Sequence, residues 1–342
     1  MMLPDRFTDT AAEYRAARES VALFDTGHYS YAWLDGPDRV RYLNAIFTNN
    51  IKDLPSGQGT AGLLLNPQGH ILAELYCFNL GERFLLEHHV QVAKQTVAWL
   101  EKYLIMDDAT LTDASAELDS LAIEGPQAAA LLLESCGLKL DAMQELAHSE
   151  VELGAIPCRV VRSSHFGSTG AAVIARRALL PDLWRTLAEA VRSHNGASMG
   201  CAAWNSLRLE AGIPWFGYDF DDKVIPHEAG LEHSHINYAK GCYTGQEIVE
   251  RVRSRGQVNR LRVGLRFSTP EPPAPGTKLS AGEKEIGHVT SAAFSPALNC
   301  AIGMAYVRRE HALPGGTLES PAGAAEVISL PLRSSASSAP LR

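Results

Sequence analysis

The sequence predicts an α+β protein that ends in a small all-β domain, and three observations lead there. Over the first two thirds, short strand-like runs interleave with amphipathic helical segments, and some strands are joined by tight hairpins. From Arg262 onward the pattern changes to short alternating runs separated by Gly and Pro, with no long helical segment between them. At 342 residues the chain has room for two or three domains and an ample core.

Tyr29–Leu34 reads as a strand, closed by the turn Asp35-Gly36-Pro37, and Arg39–Ala45 as a short helix. Leu63–Leu65, Ile71–Phe78 and Arg83–Leu86 form a predicted meander. Its turns are Asn66-Pro67-Gln68-Gly69, with Pro at the second position, and Asn79-Leu80-Gly81-Glu82. Val90–Leu104 has helical spacing through Val90, Val97, Leu100 and Leu104. The middle third alternates in the same way, with strands at Asp119–Ile123, Arg159–Arg162 and Ala171–Ile174 and helices at Gln127–Cys136 and Pro181–His194. Helices on one face of each sheet follow from this order, with no clear internal sequence repeat. Leu261–Phe267, Ile286–Phe294, Ala301–Tyr306 and Ala325–Leu330 are the strands of the terminal β domain. PEPPAPG, residues 270–276, reads as a long loop within it, because a strand pattern precedes it. The end, SSASSAPLR, is low-complexity and is expected to be disordered over 333–342.

The net charge of −8 argues against a broad nucleic-acid footprint, which needs a basic face. No apolar run approaches ~18 residues, so no membrane span is expected. The start, MMLPDRFTDT, lacks the features of a signal peptide. Six scattered cysteines, with no C-x-x-C and no short Cys/His cluster, disfavour a disulfide framework or a preformed metal site. A reducing cytoplasm and a monomer are the expectations.

Two features carry chemistry. In "AKGCYTGQEIVERVRSRG", residues 239–256, Thr244-Gly-Gln-Glu247 matches a capping box for a helix from about Gly245 to Arg255, ended by Gly256. Cys242 then precedes a helix N-terminus, with Lys240 nearby. Both favour a thiolate, and Gly241 leaves room beside the sulfur. The other reading is a structural cysteine in a tight turn. In "MGCAAWNSLRLEAGIPWFG", residues 199–217, Ser198 is placed to cap a helix that ends at Gly212 and Pro214. At ~100° per residue, Met199, Ala203, Ser206 and Glu210 share a face, which puts a carboxylate in the apolar stripe. Burying it is costly without a partner. A carboxylate suits the N–H pair on a pterin or purine edge; the alternative is a structural pair with an arginine such as Arg251 or Arg208.

KGCYTGQE at 240–247 resembles the signature of the YgfZ proteins, folate-binding Fe–S cluster assembly factors in the superfamily of the glycine-cleavage T protein, an aminomethyltransferase. The resemblance spans nearly the whole chain. It includes LFDTGHYSYAWLDGPDRVRYLNAIFTNNI, GTAGLLLNPQGHILAEL, NSLRLEAGIPWFGYD and IGHVTSAAFSPALNCAIGMAYV. It implies a three-domain ring around a central folate channel: a two-part α+β folate-binding region over 1–256, dividing near residue 115 with or without interleaving, and an antiparallel β-barrel over 257–332. It implies tetrahydrofolate, or a one-carbon derivative, as cofactor, with Glu210 holding the pterin. The residues put forward for cofactor binding are Glu210, Asn66, Glu74 and Arg251. For chemistry they are Cys242 and Lys240, within the motif Lys240, Gly241, Cys242, Tyr243, Gly245, Gln246 and Glu247.

The aminomethyltransferases that this chain is similar to carry two aspartates where it has Ala73-Glu74, and one of those aspartates assists chemistry at folate N10. The resemblance therefore implies an accessory protein of Fe–S cluster assembly or repair, not a competent aminomethyltransferase. Fe–S proteins would be its partners, and effects on tRNA modification would follow indirectly. The alternative is a folate-dependent aminomethyltransferase with Glu74 as its acid. A third reading, a cysteine enzyme unrelated to folate, lacks a His/Asp partner at triad-like spacing.

Overall fold

The computed structural model describes residues 4–256 and 258–331, so the tail expected over 333–342 lies outside the described residues. In chain order, α1 (Thr10–Glu19), β1 (Ala22–Asp25), β2 (Tyr29–Asp35), α2 (Arg39–Ile46), β3 (Gly59–Leu65), β4 (Ile71–Asn79), β5 (Phe84–His89), α3 (Ala93–Tyr103) and β6 (Thr110–Asp113) come first. The middle holds β7 (Leu118–Glu124), α4 (Ala128–Cys136), β8 (His148–Leu153), β9 (Ile156–Arg162), β10 (Gly170–Arg176), α5 (Leu180–Ser193), β11 (Ala197–Ser198) and α6 (Cys201–Glu210). Short α7 (Pro226–Ala229) and α8 (Glu232–His235), then α9 (Gln246–Arg255), lead to β12 (Arg260–Phe267), β13 (Lys278–Ala281), β14 (Lys284–Ser295), β15 (Cys300–Arg308), β16 (Thr317–Ser320) and β17 (Gly323–Ile328).

These strands make two open sheets and a closed six-stranded antiparallel barrel. The first sheet runs β3-β4-β5-β2-β6 and the second β11-β1-β7-β10-β9-β8. The chain crosses between them at once: β1 belongs to the second sheet, β2 to the first. The barrel runs β12-β15-β14-β13-β16-β17, and the 270–276 loop joins β12 to β13 inside it. The predicted α+β class with a terminal β-barrel agrees with this architecture. Of the strands missing from the sequence reading, β1, β6, β11, β13 and β16 are two to four residues long, too short to show a period, while β8, at six residues, was missed although long enough.

Each open sheet buries one face under helices. On the first, Ala32, Leu34, Ala73, Leu75, Cys77 and Leu86 pack with Tyr42, Leu43 and Ile46 of α2 and Leu100 of α3. On the second, Leu121, Ile123, Val160 and Val173 pack with Leu131 and Leu132 of α4 and Leu183 and Leu187 of α5. Because side chains alternate along a strand, the remaining faces turn toward each other. They share a smaller core of Tyr31, Phe78, Leu85, Leu118, Val161, Ala172 and Ile174.

α6 joins the parts. Its N-cap is Gly200, not the expected Ser198, which lies in β11; the Glu13 carboxylate accepts the Gly200 N–H at 2.8 Å. Met199, Ala203, Ser206 and Glu210 are all buried, as the helical spacing predicts. Asn205 Nδ2 donates to Ala292 O, and Ser206 Oγ to Phe294 O, which fixes β14 of the barrel to the helix. Arg208 donates to Asp219 at 2.5 Å, and both are essentially inaccessible. Asp219 also accepts the Trp215 N–H at 3.0 Å and the Thr290 hydroxyl at 2.6 Å.

The Asp219→Ala substitution strands the Arg208 charge in the interior. A loss of about 3–5 kcal/mol in denaturant unfolding is the expected outcome, and the double replacement Arg208→Met, Asp219→Leu should recover most of it. A cost below ~1 kcal/mol for Asp219→Ala would show that the pair does not hold this junction.

Candidate active site

Across the gap between the sheets the facing side chains are too polar to close into core. β4 presents Glu74, Tyr76 and Phe78, β5 presents Leu85, Glu87 and His89, and β2 presents Tyr29 and Tyr31. The register pairs Tyr31 with Glu87, Glu87 with Tyr76, and Tyr29 with His89, so these residues share one face. Two adjoining chambers result, of about 270 Å³ and about 370 Å³, with Tyr29, Tyr76, Ser164, His165, Ser234 and His235 in the wall between them.

The outer chamber lies where both sheets, the 212–216 loop, α8 and the barrel meet. Trp215 forms one wall. The Arg208 guanidinium stacks on its ring at 4.2 Å, and Trp204 meets it edge-on at 4.8 Å between centroids. His28 lies 5.1 Å from Trp204, and its Nε2 is buried with no hydrogen bond among the described residues. Burial, then the neighbouring His89 and His165, holds the His28 pKa well below the usual histidine range. Arg262 of β12 reaches in from the barrel. Its Nε donates to Ala229 O at 2.7 Å, and Nη1 lies 3.3 Å from Met304 Sδ. Among the described residues no carboxylate lies within ion-pair distance of it, and burial lowers its pKa.

Glu74 lines the outer chamber and is bonded to two residues of the wall between the chambers. His235 Nε2 lies 3.0 Å from its Oε1, the Tyr76 hydroxyl donates to the same oxygen at 3.2 Å, and Ser234 Oγ lies 2.7 Å from His235 Nδ1. A carboxylate on Nε2 and a hydroxyl on Nδ1 set the tautomer with the proton on Nε2. Ala73 points the other way, fully buried against α2 and α3. An acid at position 73 would therefore lie in the apolar layer, and its absence removes nothing from the cleft.

The other residues singled out from sequence sit elsewhere. Glu210 is sealed. Tyr14 donates its hydroxyl to both carboxylate oxygens, at 3.0 and 2.8 Å, Ser295 donates at 2.5 Å, and Arg18 forms the ion pair. It is a structural carboxylate whose arginine is Arg18, neither Arg208 nor Arg251, and with four hydrogen bonds from three donors it has nothing to offer a pterin. Asn66 organises its own turn, Oδ1 accepting the Gln68 and His70 N–H groups. Arg251 pairs with Glu247 along the exposed face of α9.

The capping box at 244–247 does not form. Gly245 is the N-cap, at φ 84°, and it accepts no Thr244 cap; a Cβ there would lie 2.7 Å from Asn66 O. Cys242 is exposed and lines neither chamber. Lys240 directs its ammonium to Asn44 O at 2.7 Å, Asn49 O at 2.9 Å and Phe47 O, which leaves no proton for the sulfur. Burial pulls the Lys240 pKa down to about 8. Tyr243 and Val249 pack on Leu63, Leu65 and Ile71. The motif thus straps α9 to the first sheet. Sequence reasoning missed His28, Trp215, His235, Arg262 and Glu87. The detectable signal for Glu87 was a lone carboxylate in FLLEHH, just past the point where the predicted strand stopped.

Comparison with known proteins fits this geometry. The GCVT N-terminal domain model matches residues 1–235, and the glycine cleavage T-protein C-terminal barrel domain model matches residues 260–332. An aminomethyltransferase of Saccharopolyspora erythraea is 29% identical over 335 residues, covering 96% of this chain and 91% of the relative. One of Rubrobacter xylanophilus is 30% identical over 308 residues, covering 90% and 82%. The crystal structure of the glycine cleavage system aminomethyltransferase T from Bartonella henselae superposes with a TM-score of 0.83 at 28% identity, covering 95% of this chain and 89% of that one. These relatives are named as enzymes, and they overturn the sequence-based reading of a non-catalytic Fe–S assembly factor. Of the two positions that reading turned on, 73 faces the core side of β4 and 74 presents a carboxylate to the cleft. The chain belongs to the GCVT family, with a GCVT N-terminal domain and a glycine cleavage T-protein C-terminal barrel domain.

Proposed function

We propose that this chain is a folate-dependent aminomethyltransferase, transferring a one-carbon unit between an aminomethyl donor and tetrahydrofolate in the cleft between the sheets. The observation that carries the reading is Glu74: a carboxylate lining the outer chamber, hydrogen-bonded to His235 in the wall shared by the two chambers and facing open space rather than core. Its relatives' names supply the reaction class.

The outer chamber suits a pterin. Aromatic faces of Trp215 and Tyr29 flank it, and among the described residues the His28 Nε2 has no hydrogen bond and the Arg262 guanidinium has no carboxylate at ion-pair distance. A flat heterocycle with a carbonyl and ring nitrogens would satisfy these groups. Tetrahydrofolate, when bound, supplies the nitrogens, one in the ring and N10 beside it, that accept the one-carbon unit as ammonia leaves. Glu74 holds or accepts a proton beside the reacting centre, and His235 orients it. Trp204 and Trp215 keep water from the ring faces. The finer placement, in the branch whose signature Lys240–Glu247 resembles, rests on those eight residues alone and adds no activity.

Two outcomes test the reading. Wild-type protein given tetrahydrofolate and an aminomethyl-lipoyl carrier should release ammonia, and Glu74→Gln should lower kcat by about 10²- to 10⁴-fold. Absence of release by the wild type, or an undiminished rate in the variant, sinks it. Separately, Arg262→Met should weaken tetrahydrofolate binding in calorimetry by about 1.5–3 kcal/mol, since a charged hydrogen bond is lost. Arg262→Lys should restore part of it. Equal affinity in Arg262→Met would place the folate elsewhere.

A further inference from the structure

The inner chamber has a different character from the outer one. Its floor is Glu87, in the middle of β5 and 7% exposed. Oε2 accepts the Tyr31 hydroxyl at 2.9 Å, and Tyr31 passes the chain on to Ser120 Oγ at 2.8 Å. Oε1 accepts no hydrogen bond among the described residues, and no lysine or arginine among them pairs with Glu87. Facing it are Tyr31 from β2, Glu74 and Tyr76 from β4, and His165 from the loop before β10. Glu145 stands on the chamber's exposed rim. The remaining lining is mixed: Ala61, Phe78, Leu146, Val161 and Ala172 are apolar and share the chamber with the Tyr29 and Tyr76 rings, while Ser163, Ser164, Ser234 and His235 add neutral polar atoms and one imidazole.

We propose that this inner chamber binds a small protonated amine, with Glu87 as its counter-ion and the Tyr29 and Tyr76 rings as its walls. A buried carboxylate without a cation is costly, and an ammonium is the ligand that removes that cost. Aromatic faces stabilise the same charge, and the apolar wall takes a short alkyl chain. That the bound amine is the amino end of the aminomethyl donor rests on the transferase reading; the ammonium site does not. The Glu74–His235 pair would then lie between amine and pterin.

Proton balance gives the site a pH signature. Burial, with Glu74 adding to it, pushes the Glu87 carboxyl up to about 7. The neutral acid must give up its proton to bulk water when an ammonium binds. Amine affinity is therefore full above about pH 7 and falls about tenfold per unit below it.

The probe is n-butylammonium, titrated onto the full chain by calorimetry, with butan-1-ol as its neutral counterpart. Saturable binding of butylammonium, at least tenfold tighter than butanol and at least tenfold weaker in Glu87→Gln, is expected. No saturable binding at millimolar concentration, equal binding of butanol, or undiminished binding in Glu87→Gln overturns the site. Ala61→Phe fills the chamber from β3 with Glu87 intact. It should also abolish binding, and retention there is equally fatal, so the test survives a Glu87→Gln chain that does not fold. Tetrahydrofolate is titrated in parallel. Folate binding without amine binding sinks this proposal alone, and amine binding without folate binding sinks only the transferase reading.

Discussion

The buried ion pair between Arg208 and Asp219 is the constraint on which the site depends. Two charges with almost no exposure persist only because each is multiply bonded. Arg208 also reaches Asn205 Oδ1 and Ile213 O, and Asp219 takes the Trp215 N–H and the Thr290 hydroxyl. Those partners belong to α6, the loop after it and β14 of the barrel. The pair thereby fixes three parts of the chain with directional bonds, where apolar packing alone would allow sliding. Trp215, seated on the guanidinium, inherits that rigidity and becomes a fixed wall of the outer chamber. Two residues along from Arg208, Glu210 does similar work toward α1 through Arg18 and Tyr14, and toward β14 through Ser295.

The cleft itself comes from the alternation of side chains on β4 and β5. Ala73, Leu75 and Cys77 face helices, while Glu74, Tyr76 and Phe78 face the second sheet. Where the facing partners are Leu118, Val161 and Ile174, the sheets close into core. Where they are serines and His165, they stay apart. A gap lined by tyrosines, histidines and carboxylates costs packing, and that loss is what leaves room for a ligand.

The fold class was legible because it rests on local periods: the hairpins of β3–β5, the spacing of α3 and α5, and the Gly/Pro-punctuated barrel. The burial of Glu210 was legible for the same reason. Its partner was not, because Arg18 is 192 residues away in sequence. The capping box failed through a tertiary contact: the chain at Gly245 passes so close to the Asn66 carbonyl that only a glycine fits, and the helix starts there in a left-handed residue. Lys240 was read as a neighbour of Cys242 because they are two residues apart, yet its protons cap the carbonyls at the end of α2. Proximity in sequence says little about where a long side chain spends its charge.

The same reasoning decides what Ala73-Glu74 means. Two adjacent acids on a strand point to opposite faces, so only one of them can reach a ligand between the sheets. In this chain position 73 faces Leu43, Ile46 and Leu100, where a carboxylate would be buried without a partner, and alanine is the stable residue there. Position 74 faces the cleft and keeps its acid. The longer glutamate arm carries the carboxylate to His235, which α8 places at the junction, and shares its Oε1 with the Tyr76 hydroxyl. A shorter side chain at 74 would have to do without that imidazole, or α8 would have to move. The glutamate and the histidine are thus a matched pair: the length of the side chain at 74 and the position of α8 together set where the carboxylate stands in the cleft.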